Sequence, residues 1–333
     1  MVSQGMGNGP ASDRPALLAG RAGAYLAGVV AGSPDGSTAG PPARRLDRPF
    51  SAGGGTMTHP PSYRQLEHAF DHLAPVYETV YGPHGNRVMA GLRQKNLAVL
   101  EAEFPPGARL LEIGCGVGEE AVYLARRGRV ILATDVSPAM VGCTVRRAAR
   151  AGLSHRITGL AIPAGQLDAL RPRLPFDGAY ASFGPLNCEP ALPRLSAALF
   201  DLLSPGAVFV CSVMARWCPF EIGWFLLHLR PRQAFRRLGP GWHEAGLYGT
   251  GERRSVPVRY FTPRRLAREF RPYFLLERSL ALGLLWPPPW LDHLYRRHSR
   301  LFDRLEPWET RLSGSFPWRM MGDHILLVFR RRE

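Results

Sequence analysis

The sequence predicts an α/β fold: a doubly wound, Rossmann-like, seven-stranded and mostly parallel sheet, with a helical lid before it and covering insertions after its fifth strand. Three observations predict it. Between residues 105 and 215, short apolar runs alternate with segments of helical period, the pattern of parallel strands joined by right-handed crossovers. A turn reading GCGVG, Gly114 to Gly118, joins the first of these runs to a helix. Two more apolar runs, YFLLERSLALG and DHILLVFRRR, supply a sixth and a seventh strand.

The elements follow in order. Residues 1–60 are rich in Gly, Ala, Pro and Ser without a sustained hydrophobic period and are expected to be disordered. Within them, Ala16–Gly32 has the look of a leader or membrane segment, but Arg21 and four glycines interrupt it, and Met57 is an alternative start. Residues 61–104 form the lid: Leu66, Phe70, Leu73 and Tyr77 recur at helical steps, and a second helix stops at Pro105-Pro106. The core, residues 105–215, begins with the strand ARLLEIG and its helix EEAVYLARRG. RVILATD is the second strand, followed by a helix capped by Ser137 with Pro138 in its first turn. RITGLAI, FDGAYASFG and AVFVCSVMA are the third to fifth strands. Residues 216–333 contribute the remaining strands and a cover: an apolar, then arginine-rich helix from Cys218, a hairpin over residues 243–261, and a Pro/Trp-rich insert.

Composition narrows the function. The chain has 333 residues, is 45% hydrophobic and carries a net charge of +15. Lys95 is its only lysine, so the arginine excess reflects a compositional skew, which weakens the step from basic charge to a nucleic-acid partner; nucleic acid is not the expected partner. The five cysteines stand singly, with no spacing for a zinc site or a disulfide framework; free thiols suit a cytoplasmic protein.

In a doubly wound sheet, ligands bind beyond the carboxyl ends of the strands, near the turn after the first one. Gly114, Gly116 and Gly118 lie there, where a side chain would block approach to the backbone. A dinucleotide fingerprint would place its third glycine at position 119, which is Glu119. Glu112, Glu119 and Glu120 would face a pyrophosphate with like charge, whereas a cationic adenosyl compound suits an acidic rim. Asp135, ending the second strand, suits the ribose hydroxyls of either ligand.

The segments LLEIGCGVGEEA, ATDVSPAM and FDGAYASFGPLNC resemble motifs of the class I S-adenosylmethionine-dependent methyltransferases, and AFDHLAPVYE resembles the lid helix of their small-molecule branch. That resemblance covers residues 63–214 and implies S-adenosylmethionine as methyl donor without a metal. It implies Glu112 and the backbone of Gly114, Cys115 and Gly116 around the methionine moiety, Asp135 on the ribose and Met140 on the adenine. Ser182 and Phe183 would lie beneath the methyl donor. The family's Gly-Asp-Ala after the third strand is absent; Ala164-Gly165-Gln166 fills that loop, and Gly165 and Gln166 become the adenine candidates, ahead of Asp168.

The expected partner is a small, hydrophobic or aromatic acceptor. No [DN]PP[YF] signature of nucleobase amine methylation occurs, since the fourth strand runs into SFGPLN. His68, His72, His84, His228, His243 and His324 are the candidate bases; His84, in YGPHGN, leads, with Tyr77 as an alternative. Asn187 is an acceptor-orienting residue or a loop cap. Trp217, Phe220, Trp224, Trp286, Trp290, Trp308 and Trp318 are expected to line the acceptor site. The apolar run Phe220–Leu229, followed by arginines, also suggests peripheral membrane contact. The rival functions are a nicotinamide-dependent oxidoreductase and a non-catalytic adenosyl-binding module.

Overall fold

A computed structural model describes residues 56–57, 59–82, 84–247 and 254–333. The short strand β1 (Thr56–Met57) pairs antiparallel with the later hairpin, Thr56 opposite His243 and Met57 opposite Trp242. Ordered pairing therefore reaches back into the stretch expected to be disordered; residues 1–55, including Ala16–Gly32, lie outside the described residues.

The first of the two expected lid helices is divided in two. α1 (Tyr63–Leu73) starts with a capping box between Ser62 and Gln65, and α2 (Tyr77–Tyr81) resumes after Pro75, whose missing N–H breaks the ladder. α3 (Arg87–Glu103) is capped by the Asn86 side chain, which accepts from the Met89 N–H at 2.8 Å.

The core then runs β2 (Arg109–Ile113), α4 (Glu119–Arg126), β3 (Val130–Asp135), α5 (Pro138–Arg150), β4 (Ile157–Ala161) and β5 (Phe176–Ala181). A short α6 (Pro185–Cys188) and α7 (Leu192–Leu202) lead into β6 (Leu203–Met214). The expected arginine-rich helix is divided. α8 (Pro219–Leu227) ends before Leu229, which sits at φ 55°, and Pro231 opens the separate α9 (Pro231–Ala234). The hairpin β7 (Trp242–Leu247) and β8 (Arg254–Val258) follows, then α10 (Pro263–Phe270), β9 (Phe274–Leu282), α11 (Asp292–Arg297), α12 (Ser299–Ser313) and β10 (His324–Arg331).

Seven strands form one sheet in the order β4-β3-β2-β5-β6-β10-β9, with β10 antiparallel to both neighbours and the other pairings parallel. The seven-stranded, mostly parallel expectation holds. Successive residues face opposite sides: Leu110, Tyr180, Val210 and Val328 join one core with α3 and α4, while Leu111, Ala181, Phe209 and Phe329 join another with α7 and α10. The chain moves outward from β2 to β3 and β4, then returns to place β5 on the other side of β2. That reversal opens a crevice at the carboxyl end of β2, where the glycine turn lies.

Candidate functional site

A cavity of about 290 Å³ occupies this crevice. The glycine turn and the ends of β3 and β5 form one side of it. The lid helices α1 and α2, the β7–β8 hairpin and Trp290 supply other parts of its lining.

The three glycines divide their work. All have positive φ, at 71°, 51° and 79° for Gly114, Gly116 and Gly118. A Cβ on Gly114 would meet Pro185 Cγ at 2.2 Å, and one on Gly118 would meet Thr144 at 2.8 Å. Those two are glycines because α6 and α5 pack against them. A Cβ on Gly116 would meet nothing nearer than the Tyr77 ring at 4.0 Å and would project into the space between turn and lid. Gly116 is the residue whose backbone is left open to a ligand.

Its N–H donates to Asp135 Oδ2 at 2.9 Å, and the Ser137 N–H donates to Oδ1 at 2.9 Å. Burial pushes the Asp135 carboxyl up to about 6, against the lowering effect of these bonds. Asp135 still lines the cavity. The lid is tied to the same place: Asp71 of α1 accepts from the Ala139 N–H at 3.1 Å, at the start of α5.

Of the other expected donor contacts, Met140, Ser182, Phe183 and Tyr77 line the cavity. Cys115 contributes backbone to the turn, and its buried thiol points away, accepting from Thr144 Oγ1 at 3.3 Å. Glu112 is buried and lies outside the cavity lining; burial, then the charge of Glu120, holds its carboxyl well above the usual range. Gly165 faces Tyr63 and Glu189, whose Oε2 accepts from its N–H at 3.1 Å, and Gln166 is exposed. Of that segment, Ile162 and Ala164 line the cavity, and Gly165 and Gln166 do not.

The acidic rim is also not what its sequence suggests. Arg93 of α3 pairs with Glu119 and, at 2.8 Å from Nε, with Glu120; all three side chains are buried. Arg147 approaches Glu119 at 3.8 Å. With those carboxylates neutralised, repulsion of a pyrophosphate is a weak discriminator. What remains against a dinucleotide at the turn is Glu119 itself, a buried side chain where the fingerprint has glycine.

His84 is exposed and outside the cavity lining. Tyr77 stands over the turn, but burial pushes its phenol up to about 12, which suits packing better than proton removal near neutrality. Asn187 is a strut: its amide donates to the carbonyls of Arg259 and Met214 at 2.6 and 3.2 Å. Among the cover tryptophans, only Trp290 lines the cavity. Trp286 is buried in the core beside Gly91, and Trp217, Trp308 and Trp318 are exposed.

A constellation that sequence spacing does not show closes the far wall. His324, the first residue of β10, lines the cavity with its Nδ1 2.9 Å from Asp323 Oδ2. Arg237 Nη2 donates to Asp323 Oδ1 at 2.8 Å and to Glu221 Oε2 at 2.8 Å. Arg236 forms a bidentate pair with Glu221, at 2.9 and 3.0 Å. The His324 and Phe183 rings meet edge to face, centroids 5.4 Å apart. Burial would raise the Asp323 carboxyl, but His324 and Arg237 hold it well below its ordinary value. The one sequence signal was the Asp-His pair opening the last strand; Arg237 lies 86 residues away.

Among the described residues no His/Cys/Asp/Glu group could hold a metal ion, and no helix is long and apolar enough to cross a membrane.

The chain is similar to several known proteins. The chain is 30% identical over 164 residues to a demethylmenaquinone methyltransferase of Symbiobacterium thermophilum, covering 46% of this chain and 61% of that protein. It is 36% identical over 117 residues to an S-adenosyl-L-methionine-dependent Diels-Alderase, iccD, of Talaromyces variabilis, covering 34% and 38%. In both, the match spans less than two thirds of the relative. The crystal structure of the [4+2]-cyclase SpnF superposes with a TM-score of 0.53 at 19% identity, over 82% of this chain and 98% of that one, and shows the shared fold. The model of the methyltransferase domain family matches residues 84–273, more than half of the chain. This chain belongs to the class I S-adenosylmethionine-dependent methyltransferases.

Proposed function

We propose that this chain transfers the methyl group of S-adenosylmethionine to a small hydrophobic or aromatic acceptor. The observation that carries this is one cavity joining the open backbone of Gly116 and the Asp135 carboxylate to a largely apolar wall that includes Met214, Val256, Val258 and Trp290. Asp135 would hold the ribose and Met140 would pack on the adenine. Ser182 and Phe183 would lie beneath the reacting centre, while Tyr77 would cover the methionine portion. The donor supplies a methyl group on a positive sulfur that leaves as a neutral thioether. The protein's part is alignment and exclusion of water, effects that can lower a barrier by roughly 7–11 kcal/mol. The methyl acceptor of the Symbiobacterium relative is by name a quinone, in keeping with an apolar acceptor pocket.

Labelled-methyl transfer into extracts of the source organism, followed by mass spectrometry of the product, tests the proposal. A labelled small molecule is expected. Because one relative is by name a Diels-Alderase, donor binding without methyl incorporation would defeat the proposal.

The surface beside the acceptor wall supports an apolar substrate drawn from a lipid phase. Phe225, on the inner side of α8, stacks on Trp290 with centroids 5.5 Å apart. The outer side leaves Leu226, Leu227 and Leu229 at 43%, 83% and 89% exposure, followed by exposed Arg230 and Arg232. Apolar side chains edged with arginine match an anionic bilayer surface. The protein should co-sediment with phosphatidylglycerol/phosphatidylcholine vesicles, and Leu227→Asp/Leu229→Asp should abolish this. Equal sedimentation of both proteins would refute the contact.

A further inference from the structure

We propose that His324 is the general base of this site, that Asp323 positions it, and that the acceptor is therefore a weakly acidic O–H compound, a phenol or an enol. The inference deepens, and rests on, the methyl-transfer reading.

The geometry carries it. His324 Nδ1 lies 2.9 Å from Asp323 Oδ2, within ion-pair reach though not aligned as a hydrogen bond, so Asp323 flanks the Nδ1 side of the ring and Nε2 is the nitrogen turned away from it. Among the described residues Nε2 has no protein partner, and the ring lines the cavity against Phe183. Asp323 is in turn fixed by Arg237, and Arg237 by Glu221, with each of the three at most 5% exposed. The charged and titratable groups around the imidazole are Asp323 and Arg237 directly behind it, Glu221 and Arg236 beyond them, Tyr260 under Arg237, and Arg93 on the far side of the Phe183 ring. A chain of buried ions is costly to maintain, and replacing it by apolar residues is often neutral or better for stability. Here it ends at the one imidazole that faces the cavity.

The chemistry explains the need. A phenol with a pKa near 10 is a poor nucleophile while protonated, and a neutral amine needs no base before attack. His324 Nε2 takes the hydroxyl proton as the oxygen electron pair forms the new carbon–oxygen bond. The electron pair of the broken carbon–sulfur bond stays on sulfur, and the imidazolium later releases its proton to water.

The test uses methyl-labelled S-adenosylmethionine with two acceptor probes of equal shape, 1-naphthol and 1-naphthylamine. Transfer to the naphthol oxygen is expected, with kcat/KM rising with pH through one ionisation, as a base that must be unprotonated to act requires. His324→Gln should lower kcat by roughly 10²–10⁴-fold and remove that pH limb. It leaves the Glu221–Arg237–Asp323 chain intact, so S-adenosylhomocysteine affinity and melting temperature should stay near wild type. Asp323→Asn should shift the limb to lower pH and reduce kcat, a change that a merely structural role would not produce. A His324→Gln enzyme that keeps its rate and its pH limb overturns the base. Transfer to the amine alone, or none to the naphthol, overturns the acceptor class. Loss of S-adenosylhomocysteine binding by the wild-type protein would instead overturn the methyl-transfer reading.

Discussion

Gly116→Val should reduce S-adenosylhomocysteine affinity by at least 100-fold while leaving the chain folded. The substitution puts a branched side chain where the backbone is open to the cavity, with only the Tyr77 ring 4.0 Å away from the new Cβ. A ligand lying on that backbone would have to leave. The φ of 51° adds conformational strain of roughly 1–2 kcal/mol for a residue with a Cβ, so a small drop in melting temperature accompanies the effect. Gly118→Ala separates the two contributions. Its Cβ would strike Thr144 at 2.8 Å, inside the α4–α5 contact, so it should cost stability with little direct effect on the ligand. Calorimetric titration and thermal melting of both variants distinguish these outcomes; wild-type affinity in Gly116→Val would show that the ligand lies elsewhere.

Arg93→Met should destabilise the fold by about 3–5 kcal/mol, because it strands Glu119 and Glu120 without their buried partner. On a domain of this size that is on the order of 10 °C in melting temperature. The deficit should depend on pH in a defined direction. Burial, opposed by Arg93, already holds the Glu119 carboxyl above its ordinary value, and losing the arginine raises it further. A carboxyl with a raised folded-state pKa binds more protons folded than unfolded. The deficit should therefore be smallest below the unfolded value of about 4.3 and grow as pH rises through the folded one. A variant that melts like wild type at pH 7 would mean that the pair is not formed.

What could be read from the sequence was the part fixed by local pattern. Strand–helix alternation gave the sheet, and GCGVG marked the end of it where the cavity lies. ATDVSPAM placed Asp135 and Met140 on the cavity. What escaped was set by contacts between distant residues. The acidic rim looked bare because Arg93, its partner, stands 27 residues before Glu120 on a separate helix. His324 drew no more attention than five other histidines, since Arg237 and Glu221 reach it only when β10 inserts beside β6. The tryptophans misled for a related reason: an aromatic-rich stretch shows that something is buried, and Trp286 is buried against Gly91 rather than against the cavity. Gln166 was a plausible amide in a plausible loop, but the 3₁₀ turn directs Ala164 inward instead.

The measurement that bears most directly on the central claim is a pair of calorimetric titrations, S-adenosylhomocysteine and NAD against the same protein, repeated with Asp135→Ala. The adenosyl compound should bind wild type with saturable heat and lose at least tenfold in affinity in the variant, while NAD gives no saturable heat. Tight NAD binding that depends on Asp135, with none for S-adenosylhomocysteine, would contradict the account.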